Sequence, residues 1–489
     1  MKKKNLTAML LFVSLLTSCG GAADSENSEN KLADNEESAN PTGTISKYAD
    51  ELPALKYDGM EFNVLTFDQA TLSFARSVID TDEQNADTIN DAIYMRNRNV
   101  EERLDVKINV SFCEYAPNDN LRDTQNRILS GDDSYDLVMD FANNVNPLAM
   151  QGLLYDFRDL KYVDLSKEYW CESLNSSLSI ANRNFMAVGD YSLSSHDGAG
   201  VIIFNKTLHE SLGLENLYDL VKAGKWTYDA FQSQARAAVA DLNGDAAMDK
   251  SDRYGFLSIP KEIPSSFWIG AGELVISKDK DDIPYLSADK DERFLNSFDK
   301  LLDIVWSDDI WFSSNKPNGT NDSPKFEDGQ GLFAFQRLYT LDRMRDTETD
   351  FGIIPFPKYE ETQEKYWSRV AGLVMGMVPV NVKDSDMIGA VLEALCSESR
   401  TTTIPAYYDV MLESKLTRDD ESSDMLNIIF EKRLCDHGDL TWCSILRDGI
   451  FCSMVMENDH DVASKIESIR TKLQNSIDET VEGYKNAGK

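Results

Sequence analysis

Apolar and polar positions in the first part of the chain are spaced as in alternating strands and helices. Residues 61–67 (EFNVLTF), 106–112 and 135–141 have strand spacing or form short apolar runs. Residues 88–106 have an apolar stripe at helical spacing, and residues 121–129 form a shorter helical segment. Strand, helix, strand, helix, strand in this order predicts βαβ units and a mostly parallel sheet.

A second α/β region is predicted after residue 200. Ligands of such sheets bind at the carboxyl ends of the strands, so polar residues in those loops become site candidates. Thr227 is expected to cap the helix that begins there. The predicted elements are a strand and helix at 200–214, strands at 351–357 and 372–380, and helices at 384–399 and 461–484.

The N-terminus has the pattern of an export signal. Lys2, Lys3 and Lys4 precede a mainly apolar run from Ala8 to Leu16, which is too short to span a bilayer. The following Leu-Thr-Ser-Cys-Gly resembles the lipobox of bacterial lipoproteins, in which the cysteine is acylated. We therefore predict a signal peptide at 1–18 and lipidation of Cys19. The alternative is a soluble secreted protein with a chance cysteine at this position.

A polar, acidic segment separates Cys19 from the folded body. Residues 22–46 are mostly Ser, Asn, Glu, Asp and Ala and contain few apolar side chains. Such a segment buries too little surface to fold. We predict a flexible tether over 19–56 that holds the body at the extracellular face of the cell membrane.

Composition limits the class of protein. The 489 residues allow two or three domains, and the net charge of −35 argues against nucleic acid as a partner because phosphates would be repelled. The acidity serves solubility or a cationic partner. There are only four His, and none of the seven Cys forms a CxxC pair, so a zinc site of that type is absent. For the six cysteines after Cys19, disulfides and buried thiols both remain open; Cys435, Cys443 and Cys452 lie closest in sequence.

Three stretches carry a resemblance to a known family. They are INDAIYMRNRNVEERLDV (89–106), YDLVKAGKWTYDAF (218–231) and PAYYDVMLESKLTRDDESSDML (405–426). In this order, after a lipobox and an acidic tether, they resemble the family 1, sugar-type extracellular solute-binding lipoproteins that serve ABC importers.

The resemblance implies a two-lobed, periplasmic-binding-protein-like (type II) α/β fold, each lobe a mixed, mostly parallel sheet flanked by helices. Lobe 1 would comprise 58–195 plus 370–418, and lobe 2 would comprise 200–365 plus 420–489. A solute, expected to be a carbohydrate, would be trapped between the lobes and passed to a permease without any reaction. The first crossing between the lobes would fall in 189–200 (GDYSLSSHDGAG).

The expected solute-binding residues lie in loops after strands, at the crossings and in segments that the family uses. Sugars need aromatic platforms and planar side chains that donate and accept hydrogen bonds. Tyr366 and Arg369, the neighbours of the candidate Trp367, lie near the expected second crossing between the lobes. The candidates are Asp68, Asn143, Asn144, Ser194, His196, Asp197, Trp268, Gln336, Arg337, Tyr339, Trp367 and Tyr407.

The stretch DLNGDAAMDKSD (241–252) has the oxygen-ligand spacing of a calcium loop. It departs from the EF-hand pattern at Ala246, where Gly is preferred, and at the twelfth position, which is Asp as in dockerin-like loops. Since there is one loop and no paired partner, we predict a structural Ca²⁺ clip rather than a sensor. The predicted ligands are Asp241, Asn243, Asp245, the carbonyl of Ala247, Asp249 and Asp252.

Signals of an enzyme are weak. The chain contains no GxSxG elbow, no P-loop and no HExxH helix, and GQGLFA (329–334) follows polar residues rather than a strand. With 84 acidic residues, a glycosidase pair of carboxylates stays open as an alternative. A binding protein for a peptide or another polar solute and an adhesion lipoprotein are further alternatives.

Overall fold

The structure is a computed structural model that describes residues 49–72, 74–312, 322–341, 344, 347–413 and 420–487. The predicted signal peptide, Cys19 and residues 19–48 of the predicted tether lie outside the described residues. The strands are β1 (Met60–Phe67), β2 (Val106–Cys113), β3 (Leu137–Asp140), β4 (Gly200–Asn205), β5 (Tyr254–Leu257), β6 (Ile276–Lys278), β7 (Pro284–Leu286), β8 (Trp311–Phe312), β9 (Gly331–Arg337), β10 (Phe351–Ile354), β11 (Ser368–Arg369), β12 (Met375–Met377) and β13 (Arg433–Leu434).

The helices alternate with these strands through most of the described chain. They are α1 (Thr88–Leu104), α2 (Pro117–Ser130), α3 (Ala142–Met150), α4 (Glu172–Leu178), α5 (Ser194–Asp197), α6 (Lys206–Ser211), α7 (Leu217–Lys222), α8 (Tyr228–Ala238), α9 (Ile263–Gly270), α10 (Glu292–Trp306), α11 (Asp322–Glu327), α12 (Leu338–Leu341), α13 (Ser385–Ser399), α14 (Thr403–Glu413), α15 (Asp420–Glu431), α16 (Cys452–Glu457) and α17 (Val462–Asn486).

Two larger sheets organise the body. The first has the order β12-β3-β1-β2, with β1 parallel to β2 and β3, and β12 antiparallel to β3. The second has the order β10-β4-β9-β5-β8, with parallel pairing of β5 to β8 and β9 and antiparallel pairing of β4 to β9 and β10. Both sheets are mixed, as predicted. We call the first sheet with its helices lobe 1 and the second sheet with its helices lobe 2.

The local sequence explains where the principal helices begin and end. Asp87 accepts a hydrogen bond from the Asn90 backbone N–H and caps α1, and Thr227 caps α8 as predicted, by accepting from the Ala230 backbone N–H. Helix α2 ends at Gly131, whose φ of 76° is a left-handed conformation that glycine adopts without strain.

Each sheet buries an apolar face against helices. In lobe 1 the side chains of Phe62 and Val64 on β1 pack in one core with Val100 and Leu104 of α1. In lobe 2 the core contains aromatic side chains from the strands and from α8 and α9, which meet mostly edge to face. These aromatic residues are Phe231, Phe256, Phe267 and Phe333.

Buried chain crossings join the two lobes. Residues 189–200, predicted as the first crossing, are buried throughout, and Ala199 forms a bridge with Val370. Strand β11 ends directly before Val370 and pairs in parallel with β13, so both strands lie beside this crossing. The predicted boundaries of the lobes stay a prediction. The C-terminal helix α17 packs on both α3 and β7, with the Tyr484 hydroxyl donating to Asn146.

The last residues of the predicted tether are part of the folded body. Asp50 forms an ion pair with Arg103 at 2.6 Å, and its backbone N–H donates to the Ser397 hydroxyl at 3.2 Å. Leu52 and Leu55 pack against the lobe 1 core. Asp50, Leu52 and Leu55 thus have partners in the body. The body therefore begins before Tyr57, near residue 50.

Candidate functional site

A cavity of about 500 Å³ lies where the two lobes meet. Its lining comes from loops after β2, β3 and β5 and from the end of β9, which are carboxyl ends of strands as predicted for such sheets. The lining residues are Phe74, Tyr115, Phe141, Ala142, Asn143, Ile259, Lys261, Glu262, Arg337, Arg369, Ala371, Gly372, Leu373, Asp439, Leu440, Cys443, Arg447 and Asp448.

Lobe 1 contributes three half-buried aromatic rings, Phe74, Tyr115 and Phe141, which we call the aromatic wall. Phe74 and Phe141 are stacked with centroids 5.7 Å apart. Tyr115 meets both rings edge-on, at 5.3 Å and 5.7 Å. Phe67, at the end of β1, packs beside Tyr115 and Phe141. The mutual contacts fix the ring positions and leave partly exposed apolar surface in the cavity.

The second group of lining side chains is an ionic network, which we call the charged wall: Glu262, Arg369, Asp439 and Arg447. Arg369 donates to Asp439 in a bidentate pair at 2.7 Å and 2.9 Å, and it also pairs with Glu262. Arg447 donates to the same Asp439 carboxylate at 2.8 Å. A carboxylate held by two guanidinium groups is a strong, geometrically defined arrangement.

The charged wall keeps its carboxylates ionised. Burial alone would raise the pKa of Asp439, but the charges of Arg369 and Arg447 outweigh it and hold the pKa at about 2. Burial would also raise the pKa of Glu262, and the charges of Arg369 and Arg337 again reverse the shift and lower it. Both carboxyl groups are therefore ionised at neutral pH.

Arg337 connects the two walls. Its Nη1 donates to the backbone carbonyl of Phe74 at 3.1 Å, and its guanidinium lies over the Phe74 ring, 5.8 Å from the centroid. Gly372 allows this position: it has φ of 66°, and a Cβ there would lie 2.7 Å from Arg337 Nη1. The arginine of lobe 2 thus touches the aromatic wall of lobe 1.

Of the twelve predicted solute-binding residues, Asn143 and Arg337 line this cavity. Arg369, noted beside Trp367 in the sequence, lines it as well. Gln336 and Tyr339 flank Arg337 but bond elsewhere: Gln336 accepts from the Thr340 hydroxyl, and the Tyr339 hydroxyl bonds with Gln69.

The predicted residues of the first crossing stabilise that crossing. Ser194 accepts from the backbone N–H of Val374 at 2.7 Å, and Asp197 forms an ion pair with Arg76 at 2.6 Å. His196 packs against Tyr407 and is buried, which lowers the pKa of His196 well below its ordinary value. None of these three residues, and not Tyr407, lines the cavity.

The remaining predicted residues also have structural partners outside the cavity. Asp68 accepts from the Ala70 backbone N–H in a turn, and Asn144 donates to Asp140. Trp268 is buried in the lobe 2 core. Trp367 lines a separate, smaller cavity.

Most residues of the two walls were not among the solute-binding residues predicted from the sequence. Tyr115 and Phe141 lie within two residues of the end of a strand, and the rule that ligands bind at carboxyl strand ends points to them. Glu262, Asp439 and Arg447 carry no local signal because each belongs to a separate segment and meets Arg369 only in the folded chain.

The predicted calcium loop, residues 241–252, follows α8 in lobe 2 and lies outside the cavity. Asp241 accepts hydrogen bonds from the backbone N–H groups of Gly244 and Ala246, and Asp252 accepts from those of Leu242 and Asp249. Ala246 has φ of 65°, in the left-handed region. Within the described residues, no group of three or more His, Cys, Asp or Glu side chains is arranged to hold a metal ion.

All six cysteines of the body are free thiols. Cys171, Cys396 and Cys435 are buried, and the other three are partly buried. Burial is the main cause that raises the pKa of each thiol. The described body is therefore held by packing and ion pairs without disulfides.

The fold and the cavity between its lobes define a two-lobed binding protein. The sequence profile of the bacterial extracellular solute-binding protein family matches residues 97–386, more than half of the chain. The chain belongs to this family. A comparison with curated protein sequences gave no match. No helix in the described ranges is long and apolar enough to cross a membrane.

Solved structures of binding proteins share the fold. Similar structures include the ABC substrate-binding protein Lmo0181 of Listeria monocytogenes with cycloalternan (16% identity, TM-score 0.51, 86% of this chain and 98% of that chain covered). UgpB of Mycobacterium tuberculosis with glycerophosphocholine is another (13%, 0.56, 86% and 99%). A cyclo/maltodextrin-binding protein with maltotetraose is a third (11%, 0.54, 88% and 97%). The predicted two-lobed α/β fold is confirmed.

Proposed function

We propose that the protein captures a carbohydrate between its lobes and delivers it to the permease of an ABC importer. The observation that carries this proposal is one cavity lined by both the aromatic wall and the charged wall. Aromatic rings accept the apolar face of a sugar, while Asn143, Lys261 and Arg337 in the same cavity can bond its hydroxyls. Two of the similar structures hold saccharides, which supports the same solute class.

The proposed mechanism is closure of the lobes around the solute. The aromatic wall belongs to lobe 1, whereas the charged wall belongs to lobe 2 and the crossings, so a solute that touches both sides of the cavity favours the closed state. A solute contacts both sides of the cavity at once only when the lobes are closed. A permease that recognises the closed form would then receive loaded protein in preference to empty protein.

We propose that capture involves no reaction. A glycosidase needs one carboxyl group with a raised pKa to act as an acid. The carboxyl groups in the charged wall have lowered pKa values and are paired with arginines. This arrangement supports binding over a glycoside hydrolase, which remains the alternative to be tested.

Thermal unfolding of residues 49–489 against a panel of oligosaccharides and short peptides, followed by product analysis, tests the proposal. Bound ligand stabilises the native state, so the correct solute raises the melting temperature in a concentration-dependent way. We expect a rise with one class of saccharide and unchanged saccharide afterwards. A rise only with peptides would overturn the carbohydrate assignment, and cleaved glycan would favour the hydrolase.

Membrane attachment is proposed through an acyl group on Cys19. The support is the lipobox-like sequence and the acidic segment behind it, which would place the body at the extracellular face beside a permease. Expression of the full chain and of Cys19→Ala with a labelled fatty acid tests this. We expect label and membrane fractionation only for the wild type, and equal fractionation of both chains would contradict the anchor.

We also propose that the loop at 241–252 binds Ca²⁺ as a structural clip. Its five oxygen-bearing side chains have calcium-loop spacing, and Ala246 takes the left-handed turn for which the sixth position normally has Gly. Millimolar Ca²⁺ should raise the melting temperature of the wild type but not that of Asp245→Ala, which lacks the side-chain oxygen at the fifth position. Mg²⁺ is the control ion. Equal responses of both proteins to Ca²⁺ would exclude this loop as the site.

A further inference from the structure

The charge in the cavity differs in sign from that of the whole chain. The chain has a formal net charge of −35, whereas the lining contains four cationic side chains and three acidic ones. The cations are Lys261, Arg337, Arg369 and Arg447, and the acids are Glu262, Asp439 and Asp448. The lining therefore has a formal excess of one positive charge within a strongly acidic protein, which favours an anion over a cation in the cavity.

The two arginines of the charged wall are already neutralised. Arg369 is held by Asp439 and Glu262, and Arg447 by Asp439 and Asp448. Each guanidinium thus has at least two carboxylate partners. These groups shape the wall but offer little unsatisfied charge to a solute.

Arg337 and Lys261 differ from them. Within the described ranges, neither side chain forms an ion pair, and the guanidinium of Arg337 donates only to the Phe74 carbonyl. Arg337 is partly buried, whereas Lys261 is exposed at the cavity. Burial lowers the pKa of Arg337 although the charge of Glu262 opposes this shift, so the charge of the guanidinium lacks full compensation. A bound anion would supply that compensation.

We propose that the solute is an acidic saccharide and that its carboxylate, sulfate or phosphate group pairs with Arg337. This inference rests on the proposed carbohydrate function and narrows it. The guanidinium lies over the Phe74 ring of the aromatic wall, so a sugar ring stacked on that wall brings its charged substituent within reach of Arg337. The planar fork of arginine suits bidentate bonding to such oxyanions. Lys261 adds a second, solvent-exposed positive charge.

Binding of matched acidic and neutral saccharides tests the proposal. The pairs are digalacturonate with galactobiose, cellobiouronic acid with cellobiose, and lactose 6′-sulfate with lactose, each measured by isothermal titration calorimetry at low and high salt. We expect at least one acidic member to bind about tenfold or more tightly than its neutral partner, as one charge-assisted hydrogen bond contributes. Comparing the uronate pairs with the sulfate pair distinguishes the two kinds of anion.

Variants locate the charge that recognises the solute. Arg337→Gln should lose the preference for the acidic member, measured as the ratio of the two affinities within a pair, and Arg337→Lys should restore part of it. Lys261→Gln, at an exposed position, should reduce the preference less. Arg236→Gln, an exposed arginine outside the cavity, is the matched control. Melting temperatures of all variants without ligand show whether each is folded.

The possible failures are distinguishable. Neutral members that bind as tightly as acidic ones would overturn the acidic-solute inference and leave the carbohydrate function standing. An acidic preference that survives in folded Arg337→Gln would overturn the role of Arg337. If no member of any pair binds, the acidic-saccharide inference fails, and the peptide arm of the thermal panel decides whether the carbohydrate function fails with it.

Discussion

The aromatic wall and the charged wall line the same cavity but are held by different forces. Phe74, Tyr115 and Phe141 are half-buried rings that position one another by ring contacts. The side chains of Arg369 and Asp439 are each only 2% exposed, and their ion pair leaves little surface for a solute. The charged wall therefore chiefly stabilises the meeting of segments behind the cavity, whereas the aromatic wall has surface available for binding.

Removing Arg369 should have the largest effect on stability. In Arg369→Gln, Glu262 loses its ion-pair partner and Asp439 loses one of two, both in buried positions. Breaking a buried ion pair by removing one member costs about 3–5 kcal/mol in the free energy of unfolding. Urea denaturation of the variant and the wild type measures this difference.

An exposed ion pair provides the control for that experiment. Arg236 pairs with Asp308 on the surface, with side chains 51% and 58% exposed. Arg236→Gln should change the free energy of unfolding by less than about 1 kcal/mol. If both variants lose the same small amount, the charged wall does not stabilise the fold as we describe.

The pH dependence of stability should differ in sign between Asp439 and Asp140, the residue before Phe141. The arginines of the charged wall hold the pKa of Asp439 at about 2, below its usual 3.8, so its contribution is present above pH 4 and disappears as the pH falls to 2. Burial raises the pKa of Asp140 to about 7, so this residue lowers stability as the pH rises from 4 to 7.

Substitutions of the two acids by Asn measure these contributions. Asp140→Asn should flatten the decrease between pH 4 and 7 and leave the variant more stable than the wild type at pH 8. Asp439→Asn should be destabilised at neutral pH and approach the wild type at pH 2. Denaturation midpoints from pH 2 to 8 provide the test, and parallel profiles for the two variants would contradict the opposite signs expected for Asp439 and Asp140.

A smaller effect on stability than in the charged wall is expected in the aromatic wall. Tyr115→Ala removes a half-buried ring with three edge-on contacts, so we expect a loss of about 1–2 kcal/mol in the free energy of unfolding and a loss of about tenfold in saccharide affinity. Tyr115→Phe keeps the ring and should bind nearly as the wild type does. Calorimetry and urea denaturation separate the two effects. A variant that loses stability but keeps its affinity would contradict the assignment of this wall to binding.

The order of secondary structure was predictable because its signal is local. The apolar spacing in residues 61–67 and 88–106 corresponds to β1 and α1, and Thr227 caps α8 as expected. The site was predicted less well. His196 is polar and Trp268 is aromatic, and both lie in segments that were expected to bind solute. In the structure, however, His196 is buried in the crossing and Trp268 in the lobe 2 core. Side-chain type alone does not distinguish a residue that contacts solute from one that packs.

By itself, the sequence determined the α/β class, the strand ends near which Tyr115 and Phe141 lie, and the acidity from which we expect no nucleic-acid partner. Only the tertiary structure decided which charges meet. Arg369 is 107 residues from Glu262 and 70 from Asp439 along the chain. Among 84 acidic residues, no local pattern selects these two, because an ion pair depends on distance in space and on shared burial. For the same reason, only the tertiary structure shows that Arg337 is a partly buried cation of the cavity that forms no ion pair in the described chain.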